Sequence, residues 1–214
     1  MKPVLKEQLK NELNEIAQIL FVAQESFKIV ELLLKPEEDD DLSYEKRMNS
    51  FFYHSSVIHW RTAVIELAKL FSEREGEKYN LHKFIGKLQN HYVTAGIPDI
   101  HIKGWKEALL EEKDIISNLI VQRDKVYAHT DPSHRVIPNI VSLKKMGELI
   151  AFIQQFIRRI YLIVFETAYQ IEAPINSPVE ALRYTLNLIA EAKKNRRELI
   201  RPIAKAYGLE EELD

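Results

Sequence analysis

The residues best equipped for chemistry lie close together in the chain. Arg123, Asp124, Tyr127, His129 and Asp131 all fall within the stretch RDKVYAHTD, residues 123–131. Histidine titrates near neutral pH, so His129 can serve as a general acid or base. Arginine presents a planar fork of donors that suits phosphate oxygens, and Arg123 can hold an anion of that kind. Whether the two can act together depends on local geometry. Residues 123 and 127 share a helix face one turn apart, but His129 stands about 240° round from Arg123 at ~100° per residue. An unbroken helix splays them. They converge only if the helix ends or tightens near Ala128, and the loop carrying Thr130 and Pro132 favours such an ending.

The same residues also have a structural reading. An Arg on the inner face of a helix pairs readily with a buried carboxylate, and Glu112 or Glu66 can be that partner. A His at a helix C-terminus can simply cap carbonyls, in a position that favours its protonated form. His59 and Glu66 share a stripe of an earlier helix with Ala63 and Leu70. They can face the same interior as Arg123, Glu66 as a supporting acid, or be satisfied groove polars. His129, Asp131 and His134 have suitable donors for zinc or manganese, yet no His-x-x-x-His or His-Glu-x-x-His spacing occurs, so neither metal nor cofactor is expected. Lys193, Lys194, Arg196, Arg197 and Arg201 form a basic stretch that can touch phosphates or remain a solvated face. Gly-rich phosphate loops, nucleophile elbows and Walker sequences are missing.

Composition bounds the answer. The 214 residues carry 30 Lys+Arg and 32 Asp+Glu, a formal charge of −2, which argues against a protein that coats nucleic acid along its whole surface. Hydrophobic residues at 46% and charged residues at 29% fit a folded globular chain. The absence of Cys excludes disulfides, thiolate metal sites and a thiol nucleophile. Few Gly and Pro, six and eight, argue against an all-β sandwich. The N-terminus turns polar at once without a signal-peptide core, and the longest apolar run, residues 160–165, is far short of the ~20 needed to cross a bilayer. A soluble cytoplasmic protein, with no membrane association, is expected.

The elements that must position the candidates read as helices throughout. Leu5, Leu9, Leu13, Ile16, Leu20, Ala23, Phe27, Val30 and Leu34 recur every three or four residues, a helical stripe that Pro36 ends. A second helix is expected from Asp41 or Ser43 to about Phe71, and a third from Leu81 to about Tyr92. A fourth, over residues 105–128, has the stripe Trp105, Leu109, Glu112, Ile116, Leu119, Arg123, Val126, which puts two charged residues in line with core positions. Ser142 can cap a fifth that continues to Ile171. Ser177-Pro178-Val179-Glu180 is a start signal for a last helix ending at Tyr207, with Gly208 as its stop. The expected fold is all-α, an antiparallel bundle of five to six helices in a single domain over residues 1–214.

At this point the residues resemble a family. Arg, a polar residue, four more residues and then His resembles the signature of the HEPN superfamily. The flanking RDKVYAHTD is similar to the branch found in Abi (abortive infection) U-type phage-defence proteins. Upstream, residues 59–67, HWRTAVIEL, resemble the Trp-bearing second helix of that branch. The resemblance covers residues 5–170, a HEPN-like core, and leaves the helix over 177–207 as an addition. It implies a metal-independent endoribonuclease acting as a homodimer, with the Arg/His motifs of both copies in one cleft. His129 would then transfer protons at the ribose 2′-OH or the leaving 5′-oxygen. Arg123 would hold the scissile phosphate, Asp124 would orient one of the other two, and Tyr127 would contact a base or fill space. RNA is the implied partner, with an antitoxin protein as a second. The alternative is a HEPN fold without catalysis that binds RNA, a nucleotide or a partner protein. A regulator that modifies a tyrosine just after the motif histidine fits poorly, because Thr130 and Asp131 follow His129 and the tyrosine precedes it.

Overall fold

The computed structural model describes residues 3–35, 49–74, 76–95, 97–128, 140–169 and 177–208. Among them are seven α-helices and no strand: α1 (Pro3–Leu34), α2 (Ser50–Lys69), α3 (Leu81–Ala95), α4 (Asp99–Glu111), α5 (Lys113–Gln122), α6 (Leu143–Phe165) and α7 (Pro178–Tyr207). A π-helical turn, Arg123–Ala128, continues α5. The all-α expectation holds, but the count is one helix higher than the upper expectation. The added helix comes from Glu112, whose φ −88°, ψ 7° ends α4 and lets α5 begin at Lys113. An unbroken stripe would have set this carboxylate between core positions, at the cost of stripping its water. With the break, Trp105, Leu109, Ile116 and Leu119 stay buried while Glu112 is only half-buried.

The chain divides into two compact units, Met1–Phe27 with His59–Glu172, and Lys28–Ile58 with Ala173–Asp214. The first has a core built on the predicted α1 stripe, Leu9 to Phe27, packed with Ala63, Leu67, Phe84, Leu88, Leu149, Ile153 and Ile160. The second is smaller: Ile29, Leu32, Leu33, Phe52 and Leu186 form its buried cluster. Within α7 only Leu186 and Ala204 are buried, so this helix is largely solvated along its length.

Several helix ends follow the sequence signals. The Ser142 hydroxyl accepts from the Lys145 N–H at 3.3 Å, and the Ser177 hydroxyl accepts from the Val179 N–H at 3.3 Å. Gly208 closes α7 at φ 71°. The expected starts of α2 at Asp41 or Ser43 lie outside the described residues; at the described start the Asn49 side chain accepts from the Phe51 N–H at 3.0 Å. The fifth expected helix is shorter than its apolar stripe. It stops at Phe165, because Glu166 turns into the left-handed region at φ 55° and the Thr167 N–H reaches back to the Tyr161 carbonyl at 3.4 Å. That reversal lets the Tyr169 ring stack on Tyr161 with centroids 4.1 Å apart. Eight residues of continuous helix would separate their backbones by ~12 Å. The Tyr161 hydroxyl donates to the Asn14 side-chain oxygen, and burial beside Tyr169 pushes its pKa up.

Candidate functional site

Arg123 opens the π turn, its backbone N–H shared between the Ile120 and Leu119 carbonyls. The side chain lies inside the protein, 6% exposed, and its donors are distributed over three partners. Nε donates to Asp124 Oδ1 at 2.8 Å, Nη1 to Glu77 Oε1 at 3.3 Å, and Nη2 to the Ser72 hydroxyl at 3.5 Å. The other oxygen of Asp124 accepts from Arg74 Nη2 at 2.5 Å. Asp124 therefore bridges a buried guanidinium and an exposed one, since the Arg74 side chain is 57% exposed. The shortest contact to Arg123 is the one to Asp124. The two contacts on its terminal nitrogens are longer, and those nitrogens are the ones best placed for exchange with an incoming anion.

Ser72, Arg74 and Glu77 come from the segment between α2 and α3, and one residue holds that segment in shape. Asn80 is completely buried. Its side-chain oxygen accepts from the Lys83 N–H at 2.8 Å, which caps α3, while its nitrogen donates to the Ser72 carbonyl at 2.9 Å and the Glu77 carbonyl at 3.4 Å. Lys83 adds a second clamp, donating from Nζ to the carbonyls of Arg74 at 2.9 Å and Glu77 at 2.6 Å. The helix cap and the acidic partner of Arg123 thus share one support.

The partner of Arg123 differs from both expected ones. Glu112 is half-buried at the α4–α5 break, and Glu66 pairs with Lys69 at 2.6 Å on its own helix. Glu77 takes their place because the turn before α3 brings it against the start of the π turn, which no spacing within a helix reveals. Within the motif the helix widens into a π turn, Arg123–Ala128, rather than tightening. Carbonyls in a last turn lack intrahelical donors, and Arg61 supplies one, its Nη2 donating to the Tyr127 carbonyl at 2.9 Å. The Tyr127 side chain packs half-buried against the main core. Gln122 is buried as well, and its side-chain oxygen accepts from the Val141 N–H at 3.2 Å, tying α5 to the chain entering α6. His59 is half-buried, and loss of water around its ring lowers its pKa. His129 and Asp131 lie outside the described residues.

Among the described residues no group of three or more His, Asp or Glu is arranged to hold a metal ion. No helix among them is long and apolar enough to cross a membrane. The described residues are helical and strand-free, with Arg123 and Asp124 in the last turn of a helix, in keeping with the HEPN resemblance, and the family model described as AbiU2 (HEPN_AbiU2) matches residues 5–181. The chain belongs to the AbiU2 family of HEPN proteins. The match spans α1 to α6 with the π turn and ends in the first turn of α7. No curated protein and no solved structure matches the chain.

In this HEPN chain the sequence pointed to Arg123, Asp124 and Tyr127 and gave no pointer to Ser72, Arg74, Glu77 and Asn80, which the structure joins to Arg123 and Asp124 or to the turn that carries them. A signal for part of that group exists: Asn immediately before Leu81, Phe84 and Ile85 is the start signature of an amphipathic helix. Nothing in the sequence pairs that start with Arg123, far along the chain.

Proposed function

We propose that this AbiU2 protein is a metal-independent endoribonuclease of the HEPN type, acting as a homodimer in phage defence. The observation that supports this reading is the Asp124–Arg123 contact at 2.8 Å. It matches the role expected for the polar second position of the motif, orienting the arginine from its Nε side. A phosphodiester would replace the longer Glu77 and Ser72 contacts on the terminal nitrogens, so that Arg123 holds the scissile phosphate and offsets the charge building on it. His129 would accept the 2′-OH proton or deliver one to the leaving 5′-oxygen. The bond formed is 2′-O to phosphorus and the bond broken is phosphorus to 5′-O, giving a 2′,3′-cyclic phosphate and a 5′-hydroxyl. A two-fold pairing supplies a second imidazole for the second proton. An antitoxin protein would keep such an activity in check.

A second reading is favoured by one specific observation. Arg123 is 5% exposed and already neutralised by Asp124 and Glu77, as in a structural ion pair. On that reading the protein is a non-catalytic HEPN module that binds RNA, a nucleotide or a partner protein. One experiment separates the two. Wild-type, His129→Ala and Arg123→Ala proteins are incubated with total RNA and transfer RNA, and the cut ends are mapped. The nuclease reading expects cyclic-phosphate ends from wild type only, unchanged by EDTA, with helical circular dichroism retained in His129→Ala. Cleavage that survives in His129→Ala, or that EDTA abolishes, removes the proposed mechanism. Size-exclusion chromatography with light scattering on the wild type checks the dimer, and a monomer that still cleaves would remove the shared cleft.

A further inference from the structure

A second cleft lies within the first unit, and none of its lining residues belongs to the motif. Helices α4 and α6 leave between them a cleft of about 430 Å³, within the ~300–1,000 Å³ of small-molecule sites. Its aromatic lining is continuous. His101 stacks on Trp105 with centroids 6.1 Å apart, Trp105 meets Phe156 at 6.4 Å, and Phe156 meets Phe152 at 5.7 Å. Gln155 and Arg159 line it too, about one and two turns along α6 from Phe152, and among the described residues no carboxylate does. Arg159 is exposed and makes no hydrogen bond or ion pair among the described residues. Gly104 completes the α4 wall. A Cβ there would meet nothing within 4 Å, so packing does not demand glycine, although glycine weakens a helix interior. A side chain at that position would instead take up room that the open cleft now offers.

These features select a ligand. Aromatic side chains accept a planar ring by offset stacking. An unpaired guanidinium in a cleft without acidic residues selects an anion, and its fork suits phosphate. The Gln155 amide both donates and accepts, as the edge of a nucleobase requires. We infer that the α4–α6 cleft holds an unpaired nucleotide of an RNA strand, with the base against the half-buried rings of His101 and Phe152, next to Trp105, and its phosphate on Arg159. Single-stranded RNA is gripped in this manner, by stacking plus backbone charge. The cleft would select strands with a looped or splayed base, a source of preference that the motif itself does not provide. This inference takes RNA as the ligand from the proposed function and does not depend on cleavage.

The test uses the full chain with His129→Ala to keep the strand intact and Trp60→Phe to leave Trp105 as the reporter. An unstructured single-stranded RNA octamer and adenosine monophosphate are titrated separately while tryptophan emission is followed. Saturable quenching by the octamer is expected, weakened tenfold or more by Gly104→Leu and by Arg159→Ala. Arg159→Ala should also reduce the slope of log K against log salt by ~0.7, the loss of one phosphate contact on a single strand. Gly104→Leu fills open space with a better helix former, and a melting temperature at or above that of wild type verifies its fold. Absence of quenching, or octamer affinity unchanged in both variants, overturns the inference. Quenching by the mononucleotide as strong as by the octamer overturns the strand and assigns the cleft to a free nucleotide. Wild-type cleavage without binding at the cleft sinks this inference alone; binding at the cleft without wild-type cleavage sinks the nuclease alone.

Discussion

Asp124 holds two guanidiniums at once, and removing it measures how different their surroundings are. Asp124→Ala takes an acceptor at 2.8 Å from Arg123 Nε and one at 2.5 Å from Arg74 Nη2. The losses are unequal. With the Arg123 side chain 6% exposed, its Nε–H is left where water scarcely reaches, at a cost of ~1–3 kcal/mol. Glu77 still faces the guanidinium at 3.3 Å, so the loss stays below the ~3–5 kcal/mol of stranding a buried charge. The Arg74 half contributes ~0–1 kcal/mol, because that side chain is mostly in solvent. Alanine's better helix propensity returns up to ~0.7 kcal/mol. Taken at mid-range, these terms leave a net loss of about 2 kcal/mol for Asp124→Ala and at most ~1 kcal/mol for Arg74→Ala. Thermal unfolding followed by far-UV circular dichroism reads this directly. At ~2–4 °C per kcal/mol for a chain of this size, Asp124→Ala should lower Tm by roughly 4–8 °C and Arg74→Ala by under ~4 °C. Salt near ~1 M, where the screening length is ~3 Å, should erase most of the Arg74 effect and little of the Asp124 effect. If Arg74→Ala costs as much as Asp124→Ala, or if salt abolishes the Asp124 loss, the distinction between a buried and an exposed arm of the bridge is wrong.

Other expectations follow from the same kind of accounting. Asn80→Ala removes the α3 cap, worth ~1 kcal/mol, and leaves the buried Ser72 carbonyl without the Asn80 donor, worth ~1–3 kcal/mol. The urea midpoint should fall by the equivalent of about 2–4 kcal/mol, and a loss under ~1 kcal/mol would show that the turn stands without it. Glu166→Gly relieves a left-handed backbone at φ 55° and should raise Tm by about 1–4 °C; an unchanged or lower Tm counts against strain there. Burial lowers the His59 pKa in the folded protein, so the unfolded chain binds its proton first as pH falls. The contribution of neutral His59 is therefore full above its unfolded value of ~6.5 and is lost as pH drops through that value toward the folded one. His59→Gln should flatten the decline of the urea midpoint below neutrality, and parallel curves for variant and wild type would contradict this.

Much of the fold is legible because helices announce themselves locally. The α1 stripe needs only spacings of three and four, and residues 4–34 contain no glycine or proline to interrupt it. Ser142 and Ser177 cap their own next turn, so each signal and the bond that satisfies it lie within three residues. The errors fall where a tertiary contact overrode a local pattern. The left-handed turn at Glu166, with Tyr169 folded back onto Tyr161, ends α6 early despite an apolar stripe that runs on. The α4–α5 break at Glu112 preserves a carboxylate's contact with water despite a helical rhythm on both sides.

The sequence by itself determined that this chain is helical, where most of its helices lie, and that the stretch holding Arg123, Asp124 and His129 resembles the HEPN signature. Those properties rest on backbone periodicity and on residues that are neighbours in the chain. Only the tertiary structure decided which groups surround Arg123. Glu77 and Ser72 reach it from a turn held by Asn80, and Arg61 reaches the Tyr127 carbonyl from another helix. Hydrogen bonds and ion pairs act over a few ångströms of space whatever the distance along the chain, and packing the hydrophobic stripes together is what brings these partners within range.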